Sequence, residues 1–302
     1  MKKNRLNTSY NVSALWYNLY VLTTSRKVIE ANIKTLLLSQ QDIKNYVVQG
    51  LAIDNDALKI DLAITNLQAN LVGITNSIAA LNYNSCIATG LPLKSIIEIP
   101  ELNKKSFSSE NKIDTYISSA IANRAELKSI QSYKDIASLG LKIAYASYLP
   151  TLSGIASGNY NLPEQRVFPN QNKFTPTWYA GFNLNWSLSS LYKNKDKVTE
   201  SKQNIIKTNT VYDQLQEGIM IEVNTAYTKY LQAAQKIVIS EKAVEQATEN
   251  FRVEKNKLKA ATITSTDFLD ANAKLLQASL NVSAANANAQ LAFIKLNKTT
   301  GK

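Results

Sequence analysis

Tyr148–Asn161 reads YLPTLSGIASGNYN, and this stretch decides the fold. On either side of it, alanine, leucine, lysine and glutamine recur at three-and-four spacing, the period of a helix. Inside it the period drops to two. After Pro150, Leu152, Gly154, Ala156, Gly158 and Tyr160 point one way and Ser153, Ser157, Asn159 and Asn161 the other, with Ile155 out of pattern. A second alternating stretch follows, in which Trp178, Ala180, Phe182, Leu184, Trp186 and Leu188 share one face and Asn183, Asn185 and Ser187 the opposite one. The polar, proline-bearing loop LPEQRVFPNQNKFTP joins the two, so the spacing predicts a β-hairpin over 151–188. Alternation over about 11 residues fits a tilted strand crossing a bilayer. Tryptophans near both ends fit the aromatic girdles at its interfaces. On this reading Leu152, Tyr160, Trp178, Phe182, Leu184, Trp186 and Leu188 face lipid, while Ser153, Ser157, Asn159, Asn183, Asn185 and Ser187 face a lumen. The same alternation also fits a soluble hairpin that packs its apolar face on helices.

The rest of the 302-residue chain narrows the choice. It carries a net charge of +11, no histidine and a single cysteine, Cys86. The lysines are spread singly along the helical segments, the pattern of a solvated face and not of a nucleic-acid footprint. Without histidine the commonest general base and the commonest metal ligand are missing. There is no Gly-rich phosphate loop, no paired-cysteine metal spacing and no nucleophile elbow. The sequence therefore points away from an enzyme and asks for no cofactor. No apolar run reaches the roughly 18 residues of a membrane-spanning helix; Ile136 to Ile155 comes nearest, but contains Lys142 and is broken by Pro150. Met1-Lys-Lys-Asn-Arg resembles the charged start of a secretory signal, yet Leu-Asn-Thr-Ser-Tyr-Asn follows where the apolar core would be. No export signal is expected within this chain.

A repeat underlies the helices. Val12 falls on Val223, Trp16 on Tyr227, Glu30 on Glu241, Asp56 on Asp267, Leu58 on Leu269 and Thr89-Gly90 on Thr300-Gly301, all at an offset of 211 positions. Each copy begins with an aromatic residue near the start of a long helix and breaks at a polar turn, GLAIDND in one and ATITSTD in the other. Each then ends on Thr-Gly, where glycine suits a left-handed helix cap. In the second copy Leu215, Ile219, Val223, Ala226, Tyr230, Ala233 and Ile237 step by four and three, and Val244, Ala247, Phe251 and Leu258 continue the stripe. So narrow and sustained a seam is that of a coiled coil. A helix running from about Lys195 to Ala260 would be roughly 100 Å long. The expected organisation is a helical hairpin over 1–90, a connector over 91–111, and a second repeat over 112–302. That repeat comprises a helix over 112–147, the β-hairpin over 151–188 and a helical hairpin over 195–298. Ile96–Pro100 within the connector is a candidate short strand.

These residues resemble the outer-membrane efflux protein family, the TolC-like channel-tunnels. Tyr148-Leu-Pro-Thr-Leu152 enters the first strand as the family does, and Gly181-Phe-Asn-Leu-Asn-Trp-Ser-Leu188 closes the second. Arg124-Ala-Glu-Leu127 is similar to the family's Arg-Pro-Glu-Leu, with alanine for proline. Thr264-Ser-Thr-Asp-Phe-Leu-Asp-Ala271 matches the helix-tip segment, and Gly50-Leu-Ala-Ile-Asp-Asn-Asp56 is its first-repeat counterpart. The resemblance implies a mainly α fold of long antiparallel coiled-coil hairpins in two tandem repeats. Its transmembrane β-hairpin would contribute to a trimeric β-barrel in the outer membrane, above a periplasmic tunnel. It implies a passive duct for small molecules or proteins, completed by a periplasmic adaptor and an inner-membrane pump. It also implies that acidic side chains constrict the tunnel tip and select cations; the matching positions are Asp56, Asp267 and Asp270. Asp267 and Asp270, just inside a helix start, would also serve there as dipole partners.

Three departures from the family pattern carry expectations of their own. Ala261 replaces the helix-tip glycine, and Ile263 stands where a basic residue is common, so a tip salt-bridge lock is not expected. The first repeat lacks its strand hairpin and preceding helix, so the chain reads as a truncated or split reading frame, with a short homologue as the alternative. A trimer of it would supply six strands in place of twelve. The alternative function is a soluble coiled-coil scaffold with a small packed β-hairpin.

Overall fold

The computed structural model describes residues 2–100, 112–162, 168–169, 172–260 and 262–301. Part of the connector, part of the strand-joining loop and Ala261 lie outside them. The chain divides into two units, one formed by Met1–Ala125 with Glu217–Lys302 and the other by Glu126–Gln216.

The first unit is helical. Helix α1 spans Lys2–Val48 and α2 spans Asp54–Thr89; α3 covers Ile113–Asn123. The remaining helices are α4 (Ala125–Ala146), α5 (Ser190–Lys259) and α6 (Ser265–Thr299), of which α6 and the later part of α5 belong to this unit. Helix α1 packs closely against both α2 and α6. On α6 the buried face includes Ala271, Ala278, Ala285, Ala287 and Ala289, side chains small enough to let helix axes approach. One core cluster joins Ile29, Ile33, Leu36 and Ile43 of α1 to Ile60, Ile64 and Leu67 of α2, Leu258 of α5 and Phe268 of α6. Toward the other end, Tyr230 packs with Leu296, and Ile237 packs on Ala285 and Ala289. Every member of the stripe from Leu215 to Leu258 is buried or half-buried, as its three-and-four spacing requires of a helix that shows one narrow face to its neighbours.

Two expectations are corrected in this unit. The helix predicted over 112–147 is broken at Arg124, whose backbone is extended (φ −63°, ψ 124°). The break is held from outside the helix: the Arg124 guanidinium pairs with Glu222 of α5, and Gly301 lies against the Asn123 and Arg124 backbone. The segment Ile96–Pro100 is not a strand. Asn82 of α2 holds it instead, donating from its amide to the Ser95 carbonyl at 2.7 Å and accepting from the Ile97 N–H at 2.9 Å.

The second unit consists of α4, strands β1 (Thr151–Asn161) and β2 (Thr175–Asn185), and the first part of α5. Ala137 and Ala144 of α4 and Val198 of α5 are buried, and Lys134 lies over the Tyr212 ring at 4.5 Å. Strands β1 and β2 pair antiparallel, Leu152 opposite Leu184, Gly154 opposite Phe182, Gly158 opposite Trp178, and Ser153 opposite Asn183. Because side chains alternate, this register gathers Leu152, Tyr160, Trp178, Phe182 and Leu184 on one face and leaves Ile155 and Tyr179 on the other. The predicted second strand is shortened by three residues at its end. Trp186 leaves the ladder and its indole N–H donates to the Tyr148 carbonyl at 3.2 Å. The Ser187 carbonyl already accepts from the Ser190 N–H at 3.0 Å, which starts α5 at Ser190 and not at Lys195. Among the described residues, no helix is long and apolar enough to cross a membrane.

Candidate functional site

The three acidic candidates stand on the helix starts α2 and α6. The turn that leads into α2 is closed by Gly50 (φ 73°), with Gly50 N–H on the Val47 carbonyl at 3.0 Å and Leu51 N–H on the Tyr46 carbonyl at 2.8 Å. That is a Schellman closure, and glycine is the residue that accepts its left-handed backbone. The turn before α6 repeats the second of these bonds, Thr262 N–H to the Lys257 carbonyl at 3.0 Å. Thr262 and Lys257 are the offset counterparts of Leu51 and Tyr46.

The two starts are capped differently. Ile53 at the N-cap of α2 offers no side-chain acceptor, and Asp54 and Asp56 supply negative charge in the first turn. Thr264 caps α6 with a capping box. Its hydroxyl accepts from the Asp267 N–H at 3.2 Å, while the Asp267 carboxylate accepts from the Thr264 hydroxyl at 2.7 Å and from its N–H at 3.3 Å. These bonds satisfy two donors that a helix start leaves orphaned. They also hold the Asp267 carboxyl below its ordinary value of 3.8, the Thr264 side-chain bond first and its backbone bond second. Asp267 is therefore ionised, exposed and fixed in direction.

Asp270, one turn on, is exposed and pairs with Lys274 at 2.6 Å. Asp56 lies 3.7 Å from Lys59. Lys59 in turn donates to the Thr266 hydroxyl at 3.0 Å, so one lysine ties the start of α2 to the start of α6. Sequence reasoning missed Lys59; its only local signal is the i,i+3 spacing from Asp56, which is common on any helix. It also missed Tyr46, whose hydroxyl donates to the Lys259 carbonyl at 3.0 Å and so joins the end of α1 to that of α5. Ile263, which stands in place of a basic residue, packs against the core cluster. The tips are held together by the Lys59–Thr266 and Tyr46–Lys259 hydrogen bonds and by apolar packing.

The second candidate surface is the hairpin. Leu152, Tyr160, Trp178, Phe182 and Leu184 lie on one face and are all exposed, Trp178 at 80% and Phe182 at 86%. Ser153, Ser157, Asn159, Asn183 and Asn185 lie on the other. Trp186, Ser187 and Leu188 fall outside the ladder, in the passage to α5.

Helical hairpin tips with a capping box, joined to a strand pair that is bare and apolar on one face, set the terms for comparison. Residues 116–302 match the family model described as outer membrane efflux protein. The chain belongs to this family. It is an outer-membrane duct component of efflux systems. Among solved structures, the outer membrane protein VceC from Vibrio cholerae superposes with a TM-score of 0.81 at 18% identity, over 98% of this chain and 70% of that one. The CmeC outer membrane channel of Campylobacter jejuni gives 0.79 at 13% identity, over 99% and 63%. The MtrE outer membrane channel of Neisseria gonorrhoeae gives 0.77 at 14% identity, over 99% and 67%. At these identities the likeness is one of fold. No curated protein matches the chain.

Proposed function

We propose that the hairpin β1–β2 is this chain's share of a β-barrel assembled from three copies. Leu152, Tyr160, Trp178, Phe182 and Leu184 meet lipid, and Ser153, Ser157, Asn159, Asn183 and Asn185 line the passage. Trp186 and Leu188 border the membrane where the strand gives way to the helix. The observation that carries this reading is the register, which places Leu152, Tyr160, Trp178, Phe182 and Leu184 on one exposed face, with Ile155 and Tyr179 the exceptions on the other. In a soluble scaffold the same side chains would be packed in protein, since a contiguous exposed patch of this kind is costly in water.

In the helical unit, Asp56, Asp267 and Asp270 form the constriction. Carboxylates of three copies converging on an axis attract cations and repel anions. Capping and selection coexist in Asp267, because the bonds that satisfy the helix start also keep the carboxylate charged. The chain moves no substrate by itself; an inner-membrane pump drives export and a periplasmic adaptor joins the two. Conduction asks nothing of the protein but a lined passage, in keeping with the absence of histidine and of catalytic motifs from the sequence.

Ala180→Lys tests the membrane assignment. Ala180 is the midpoint of β2, on the face of Trp178 and Phe182, and a lysine on the lipid face at that depth costs about 2–4 kcal/mol on insertion. The variant is expected to keep its helical circular dichroism and to lose carbonate-resistant insertion into phosphatidylcholine vesicles. A wild-type chain that is monodisperse without detergent, and that unfolds on the same substitution, overturns the assignment in favour of a packed soluble hairpin.

A further inference from the structure

The start of α5 breaks a local rule. Positive charge is unfavourable in the first turns of a helix, where the backbone dipole already points its positive end. Yet Lys193, Lys195 and Lys197 all fall within the first eight residues of α5, followed by Lys202, and the first turn holds no acidic residue. All four are exposed, and among the described residues none of them is in an ion pair. The two acids nearby, Asp196 and Glu200, leave the stretch positive. On the neighbouring helix, exposed Lys142 stands just before the end of α4. The Asn194 amide, which donates to the Ser147 carbonyl at 2.9 Å, brings the end of α4 beside the start of α5 and so Lys142 beside this stretch. The fold thus concentrates five lysines at one level against two acids, Asp196 and Glu200.

That level is set by the membrane. Strand β2 ends at Asn185, Trp186 follows, and Tyr192, 86% exposed, stands immediately before the first lysine. Aromatic side chains of this kind mark the bilayer–water boundary. Lys193 to Lys197 rises about 6 Å along the helix, comparable to the roughly 5–8 Å of a headgroup layer. Lys202 lies about 8 Å further on, within reach of the same layer for a side chain of its length.

We infer that Lys193, Lys195, Lys197 and Lys202, with Lys142, form a docking surface for anionic phospholipid headgroups in the leaflet at the helical end of the barrel. The inference rests on the membrane assignment of the hairpin. Continuity with the apolar face and the unmatched charge identify the occupant: a fixed phosphate within the headgroup layer, at the depth where these ammonium groups lie. Such a contact sets the vertical seating of the barrel, since the lysines resist being drawn either into lipid or away from it.

Native mass spectrometry of the detergent-solubilised full chain, supplied with an equimolar mixture of phosphatidylglycerol and phosphatidylcholine, tests this. The retained adducts are expected to favour phosphatidylglycerol by at least about tenfold. In K193Q/K195Q/K197Q/K202Q the ratio is expected to fall to within about twofold of unity. A control with equal charge removed farther along the same helix, K229Q/K236Q/K242Q/K255Q, is expected to keep the wild-type ratio. An unchanged ratio in the first variant, or an equal fall in both, overturns the inference and leaves the membrane assignment standing. Wild-type chain extracted by carbonate from pure phosphatidylcholine vesicles overturns the membrane assignment and the inference together.

Discussion

Asn32 of α1 and Asn272 of α6 donate to each other's carboxamide oxygens, at 2.9 and 3.1 Å, and both are buried. The two residues lie 240 positions apart. The reciprocal pair pins α1 to α6 in one register, because sliding either helix by a turn would strand two buried amides among apolar neighbours. Losing one partner is therefore worse than losing both. Asn272→Leu alone is expected to cost about 1–3 kcal/mol, the price of an unsatisfied buried amide. Adding Asn32→Leu is expected to recover most of that loss. Denaturant midpoints of the two singles and the double, in one detergent, check this; a double variant as unstable as the sum of the singles contradicts it.

The capping box gives α6 a pH-dependent start. A carboxyl held below its ordinary value contributes stability that is complete above 3.8 and is lost as pH falls through the lower, folded value. Thr264→Ala, which removes the bond that lowers the Asp267 carboxyl most, is expected to cost about 1 kcal/mol at neutral pH. The difference between wild type and this variant is expected to shrink as pH falls below 3.8. A difference that stays constant across that range assigns the cap to the hydroxyl alone.

Two glycines with the same backbone separate strain from crowding. Gly90 and Gly301 both sit in the left-handed region, φ 74° and 77°. A Cβ at Gly90 would meet nothing within 4 Å, whereas at Gly301 it would meet the Asn123 carbonyl carbon at 3.1 Å and oxygen at 3.2 Å. Gly90→Ala is expected to cost about 1–2 kcal/mol from backbone conformation alone. Gly301→Ala is expected to cost at least about 1 kcal/mol more, because backbone must move. Equal thermal unfolding midpoints for the two variants refute the close-packing account of the α3–α4 break.

The proposed constriction is tested by neutralisation without loss of the cap. In D267N/D270N an amide oxygen remains at position 267 to accept from Thr264, so α6 is expected to fold while the charge disappears. Reversal potentials across planar bilayers under a salt gradient are expected to shift toward anion passage. Unchanged selectivity returns both residues to the structural role that the capping box and the Lys274 pair already describe.

Periodicity by itself determined the helices and the hairpin of this protein. The stripe from Leu215 to Leu258 and the alternation from Leu152 to Leu184 are local facts, because backbone geometry fixes which neighbours in sequence share a face. The Thr-Gly ends and the acidic start of α6 were legible for the same reason: a helix end is satisfied within four residues of itself. Only the tertiary structure decided where elements stop and which helices touch. The break at Arg124 is held by Glu222 and Gly301, far along the chain, and β2 ends at Asn185 because Trp186 turns to the Tyr148 carbonyl. The Lys59–Thr266 and Asn32–Asn272 bonds join residues 207 and 240 positions apart, neither at the 211-position offset of the repeat. Their partners are chosen by the three-dimensional offset of packed helices, which no pattern in either strip of sequence encodes.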